Sequence, residues 1–285
     1  MSTIHQIQQA VGATLDGIWG PRTRAAVAAK LGVPDDVKAI QAAVGVAQDG
    51  KVGPLTLAGI AAALGITQAR VDVFLDVGHT ADRAREWPGT FASGIWSSGD
   101  GKRIAELLGF NAKTQDSVEH MLNTAVAGAV DRALAARGVG RLVFDMPGMS
   151  NDPEITRVYT EANGLKPRAF VSIHANAQGG TSWARLGGTA SGCTAYYVSG
   201  RAKGKALATS IAGKLRALRR STGGPDNRAD IVAAGTYAVI RKLDAAIPAC
   251  LVEVGFYDNR KDLLWMAEHL DEIGLAIADG ITENI

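Results

Sequence analysis

Apolar and polar residues follow two different rhythms along this chain, and the change falls near GITQAR at 65–70. Before it, apolar positions recur at helical spacing, as in RTRAAVAAKLG (22–32) and LTLAGIAAALG (55–65), each stretch closing on the glycine that commonly ends a helix. Beyond it, short unbroken apolar runs take turns with longer amphipathic stretches. The runs predict strands near 71–77, 139–146, 168–174, 192–198, 236–242 and 248–254. The stretches between them predict helices near 100–108, 119–137, 152–164, 201–220 and 260–282. Runs rich in Val, Ile, Phe and Leu suit strands covered on both faces. Alternation of this kind predicts an α/β fold, a twisted and mostly parallel sheet with helices on both faces.

The first 66 residues contain a repeat. IQQAVGATLDGIWGPRT (7–23) aligns without gaps to IQAAVGVAQDGKVGPLT (40–56), with ten of seventeen positions identical at an offset of 33. Each copy reads as a short helix, an Asp-Gly turn, and a Gly-Pro step that places proline at the first position of the next helix. A 33-residue period also fits ankyrin arrays, but those need three or more stacked units and a TPLH-type motif, which is missing. The repeated DGxxGPxT element resembles the small three-helix peptidoglycan-binding domain. That resemblance implies a wall-binding domain over 1–66, with Trp19 and Arg22 as candidate wall contacts, ahead of a second domain over 71–285.

Three apolar runs end in groups suited to a metal. VDVFLDVGH (71–79), RAFVSIHAN (168–176) and PACLVEVGF (248–256) deliver His79, His174 and Glu253. Polar groups at the carboxyl ends of such strands sit where open α/β sheets place their ligands. Two neutral imidazoles and a carboxylate form a normal ligand set for catalytic zinc. Glu119, at the head of the 119–137 helix, is a fourth candidate. A carboxylate in a first helical turn is also favoured by the helix dipole alone, with Ser117 as N-cap. Glu86 and Glu106 are its rivals. His120 points about 100° away from Glu119 on a helix, so the two are not expected to share an ion. Asp76 is placed to accept a hydrogen bond from a ligand ring or from the turn. A carboxylate inside an apolar strand, as Glu253 is, calls for a partner: an activated water, or a cation such as Arg228 or Arg241.

LDVGHT, SIHANA and LVEVGF resemble the signature segments of the zinc-dependent N-acetylmuramoyl-L-alanine amidases, over most of residues 71–285. The resemblance implies one zinc ion held by His79, Glu119 and His174, and Glu253 as general acid/base. It further implies peptidoglycan as substrate, with Asn176 and Arg228 as candidate substrate contacts. Two departures stand out. Forty positions separate His79 from Glu119, so 80–118 reads as an insertion, with 84–98 (Trp87, Trp96) a candidate rim over the groove. The family's GHGG is here GHTA. SSGDGKR is no phosphate loop, because Trp96 and Arg103 stand where Gly and Ser or Thr are required.

The remaining features narrow the picture. Thirty basic and 28 acidic residues give a formal charge of +2, too balanced for nucleic acid. Cys193 and Cys250 lie in apolar surroundings without Cys-x-x-Cys spacing, and read as buried free thiols. No apolar run is long enough for a membrane span. A monomer is expected. MSTIHQIQQA shows no secretory signal, so the expectation is a phage-type lysin, held in the host cytoplasm until a separate pore releases it to the wall. Two other classes stay open: a zinc carboxypeptidase or endopeptidase acting on the stem peptide, and a wall-binding protein without catalysis.

Overall fold

The computed structural model describes residues 3–16, 18–66, 70–79, 99–108, 118–145, 153–178, 187–229 and 231–285. The chain divides into two compact units, Met1–Arg70 and Val71–Ile285.

The first unit holds four helices among its described residues: α1 (Thr3–Val11), α2 (Pro21–Leu31), α3 (Val37–Ala43) and α4 (Pro54–Ala63). The resemblance led to an expectation of three. The repeat explains the difference, since each copy supplies one helix before its turn and one after it. Pro21 and Pro54 open α2 and α4, each behind an extended glycine, Gly20 and Gly53. The core repeats with the sequence: Ile7, Val27 and Ala28 from one copy pack with Ile40, Ile60 and Ala61 from the other.

The second unit is a six-stranded sheet of order β2-β1-β3-β6-β4-β5. The strands are β1 (Val73–Val77), β2 (Arg141–Phe144), β3 (Ala169–Asn176), β4 (Thr194–Tyr197), β5 (Val232–Ala234) and β6 (Ala249–Phe256). β2, β1, β3 and β6 run parallel, β4 is antiparallel to β6, and β5 is parallel to β4. Alternation along each strand splits the core in two. Leu75, Val171, Ile173, Val252 and Val254 face a helical layer built from α6 (Val118–Ala136), α8 (Ala202–Thr222) and α11 (Leu270–Thr282). Phe74, Phe170 and Leu251 face the other way, against α7 (Pro153–Leu165) and α9 (Ala238–Arg241). Both faces are covered, as their apolar runs require.

Two expected elements change. Residues 236–242 form α9 instead of a strand, and the strand of this region is the three-residue β5. Val239, Ile240 and Leu243 are buried together, which a helical turn allows and strict alternation forbids. The expected 260–282 helix is two, α10 (Arg260–Glu268) and α11, separated by His269 in a non-helical conformation. The break lets each segment bury its own stripe: Leu263 and Met266 in α10, Ile273, Ile277 and Ile281 in α11. Cys193 and Cys250 are free and buried. Among the described residues, no helix is long and apolar enough to cross a membrane.

Candidate metal centre

The parallel registers Val77↔Ile173 and His174↔Glu253 bring the carboxyl ends of β1, β3 and β6 side by side. Past β1 the chain turns at Gly78. A side chain there is impossible without rearrangement, because a Cβ would lie 2.3–2.5 Å from three ring atoms of His174. The turn is tied on both sides: the Gly78 N–H donates to Ile173 O at 2.9 Å, and Asn123 Nδ2 of α6 donates to Gly78 O at 2.9 Å. His79 follows with φ of 62°, left-handed backbone that is uncommon outside glycine. Such positions persist where surrounding structure overdetermines them, often at functional sites.

Glu119 stands in the first turn of α6 and reaches both imidazoles. Its Oε1 lies 3.0 Å from His79 Nε2 and 3.3 Å from His174 Nδ1. The two rings meet edge to face, centroids 4.9 Å apart and planes at 83°. One ligand atom from each of the three residues falls within 4.8 Å of the others. Burial pushes the Glu119 carboxyl up, but hydrogen bonds from His174 and His79 and their charges outweigh it, holding it down at about 2. For His174 burial favours the neutral ring, yet the bond to Glu119 and the charges of Glu253, Glu119 and Asp76 raise it above the ordinary imidazole value. Three ligand atoms of N, N and O type thus converge on one point. The arrangement fits a zinc ion with an open fourth position.

Glu253 faces the same point from β6, only 9% exposed. Burial raises its carboxyl to about 7, opposed by the charge of His174, helped by that of Glu119 and opposed again by that of Arg228. Its Oε2 is buried without a hydrogen-bond partner, so neither Arg228 nor Arg241 neutralises that oxygen. The Arg228 guanidinium lies over the Phe256 ring instead, 5.8 Å from its centroid. The orphaned oxygen lies on the strand residue paired with His174.

The β6 exit is braced by a different, multiply bonded charge pair. Arg219, fully buried, bonds to Asp262 Oδ1 at 2.5 Å, to Val254 O and Pro225 O at 2.7 Å, and stacks over Trp265 at 4.1 Å. Asp262 Oδ2 accepts from Phe256 N and Gly192 N.

The other candidates are placed as follows. Asp76 is buried and accepts from Ser172 Oγ at 2.6 Å, one layer beneath the histidines, in place of the bond expected from a ring or turn. His120 turns away to Asp145 Oδ1 at 3.0 Å, as the helical geometry requires. Glu106 is exposed on α5 (Gly99–Leu108) and takes no part in the cluster. Asn176 ends β3 and serves local structure, its Oδ1 accepting from Ala177 N and its carbonyl from Tyr257 N. Trp19 is half-buried against the core of the first unit, and Arg22 is exposed at the start of α2. Glu86, Trp87, Trp96, Ser117 and the rest of the GHTA loop lie outside the described residues. Two neighbours of the site escaped the sequence reading. Thr194 stands opposite Glu253 in the β4–β6 pair, its hydroxyl buried without a partner. Tyr257 follows β6, its phenol raised by burial and by the charges of Glu119, Asp258 and Glu253. Only the strand order brings Thr194 here, and no motif announces it.

Residues 73–283 match the family described as N-acetylmuramoyl-L-alanine amidase. Solved structures similar to this chain include the N-acetylmuramoyl-L-alanine amidase from Clostridium difficile 630. It is 21% identical with a TM-score of 0.52, over 76% of this chain and 97% of that one. AmiC2 of Nostoc punctiforme, also an N-acetylmuramoyl-L-alanine amidase, is 21% identical with a TM-score of 0.51, over 76% and 98%. The catalytic domain of the CD27L endolysin targeting Clostridia difficile is 20% identical with a TM-score of 0.51, over 76% and 99%. At these identities the likeness is one of fold. No curated protein matches the chain.

Proposed function

We propose, for a chain that belongs to the N-acetylmuramoyl-L-alanine amidase family, that His79, Glu119 and His174 hold one zinc ion and that Glu253 carries the proton. The protein is a peptidoglycan amidase, hydrolysing the amide between N-acetylmuramic acid and L-alanine. The observation that carries the finer reading is the convergence of the three ligand atoms within 4.8 Å, beside the unpartnered Oε2 of Glu253.

When bound, zinc supplies a Lewis acid that makes water acidic and polarises a carbonyl. Every other task falls to side chains of this protein. Glu253, buried and close to neutral pH in its titration, takes a proton from the attacking water and delivers it to the leaving nitrogen of L-alanine. Asp76, bonded to Ser172, has its carboxyl raised by burial beneath the histidines, and in its ionised form it favours a cation above them. Gly78 holds the first histidine turn against the second imidazole, so the pair is preorganised. No Ser or Cys nucleophile is required.

The repeated front unit tethers the enzyme to its polymer, raising local substrate concentration without touching the reaction. Its repeated DGxxGPxT element supports that role. The wider role is bacteriolytic, as a phage-type lysin acting on the wall from within. Expression in a susceptible host with and without a separate membrane pore checks it, and lysis independent of the pore would count against it.

The decisive experiment pairs metal analysis with product analysis. Chelation removes activity on purified sacculi and zinc restores it, while mass spectrometry finds free stems beginning with L-alanine. Full activity in a metal-stripped protein, or stems cut internally, overturns the reading.

A further inference from the structure

The first unit contains its own control experiment, because one scaffold occurs in it twice. In the first copy Gln8 Nε2 reaches Asp16 Oδ1, Ile18 O and Thr23 Oγ1 at 2.6, 3.1 and 3.1 Å. In the second, Gln41 Nε2 reaches Asp49 Oδ1, Lys51 O and Thr56 Oγ1 at 2.7, 2.9 and 3.2 Å. Every partner is displaced by 33 positions. Gln8, Thr23, Gln41 and Thr56 are all buried. The Gln, Asp and Thr common to both copies are therefore explained by folding: they satisfy the polar groups of the turn.

The residues that differ are not so explained. On the turn, Leu15, Ile18, Trp19 and Arg22 of the first copy correspond to Gln48, Lys51, Val52 and Leu55 of the second. The network needs only the backbone N–H and carbonyl of residue 18, which Lys51 supplies equally well in the second copy. Yet Ile18 is 64% and Leu15 52% exposed, while Gln48 and Lys51 keep the second turn polar. Two exposed aliphatic side chains beside an indole and an exposed cation form an adhesive surface that the scaffold does not require.

We infer that this turn of the first copy is the wall-contacting surface of the protein, and that the second copy is scaffold. The inference rests on the tethering role assigned to the front unit. Peptidoglycan suits the surface chemically. Its sugar rings offer apolar faces to Leu15, Ile18 and the half-buried Trp19, and its stem carboxylates offer a partner for Arg22.

The test exchanges residues between copies in the full-length chain. Leu15→Gln, Ile18→Lys and Arg22→Leu together give the first turn three of the four residues by which the second differs, leaving Trp19 in the core, with net charge unchanged. The reverse exchange is Gln48→Leu, Lys51→Ile and Leu55→Arg. Pelleting with purified sacculi reads binding, and turnover of a soluble muropeptide together with the thermal midpoint reads integrity. The single Ile18→Lys change serves if the triple exchange lowers that midpoint. The first exchange weakens sacculus binding at least about tenfold. It leaves soluble turnover unchanged, and the reverse exchange binds at least as well as the parent. Undiminished binding after the first exchange, or equal weakening by both, overturns the assignment, as does a loss of self-association alone. A chain lacking residues 1–70 separates the two claims. If it keeps full sacculus binding, the tethering role itself falls; if it binds poorly while the first exchange does not, only the surface is wrong.

Discussion

The buried glutamine of each front-unit turn and the buried glutamate of β6 make opposite bargains. Gln41 is buried with its amide Nε2, which carries two N–H donors, within reach of three oxygens and its carbonyl accepting from Gly50 N at 2.9 Å. Glu253 is buried with an oxygen that nothing satisfies. A polar group left unpaired in the interior costs about 1–3 kcal/mol, more if charged. The glutamine network is closed within its own turn, whereas Glu253 keeps an acceptor free on the strand next to His174. The Arg219–Asp262 pair of the catalytic unit lies between these two cases: it is more deeply buried than Glu253 and multiply bonded, yet Arg219 Nε has no partner.

Substitutions sharpen that contrast in order of size. His174→Ala removes one of three converging donors, so zinc content and amidase turnover are both lost; bound metal at parent stoichiometry would break the assignment. Glu253→Gln keeps the shape and the metal but lowers kcat by about 10²–10⁴-fold. Turnover near the parent rate would show that another group moves the proton. Asp262→Ala leaves the Arg219 charge buried and unpaired, and destabilises the catalytic unit by about 3–5 kcal/mol in denaturant unfolding. Gln41→Leu costs the front unit about 1–3 kcal/mol, while soluble-substrate turnover is untouched. The smallest effect is protonic. Burial lifts Glu253 to about 7, so near that pH the metal-free carboxyl is partly protonated. A cation nearby lowers its pKa, and the raised His174 ring must likewise lose its proton to ligate. Zinc binding therefore releases protons near neutrality, and fewer at higher pH as both groups become deprotonated beforehand. Calorimetry in buffers of different ionisation enthalpy reads the number.

The strands bearing His79, His174 and Glu253 were legible because both-face burial writes itself as an unbroken apolar run. The repeat was legible because turn chemistry demands the same Asp, Gly, Pro and Thr twice. Glu119 was not: its distance from His79 and its dipole-favoured position left rivals, and the family resemblance singled it out. Its meeting with the imidazoles depends on where α6 begins relative to β1 and β3, which no local pattern encodes. For α9, Val and Ile at 239–240 mimicked a strand, though burial of 239, 240 and 243 follows a helical turn. The division at His269 has no Gly or Pro to signal it. Thr194 became a neighbour of Glu253 only through the antiparallel placement of β4, a property of sheet order.

The bare backbone at Gly78 has a consequence for anyone wishing to retune this centre. With the His174 ring pressed against it, even a methyl group there collides, so the loop bearing one histidine and the strand bearing the other behave as a single part. Neither can be shifted to suit a larger ion or a different donor without rebuilding its companion. Selection and design alike must alter them together or leave both alone.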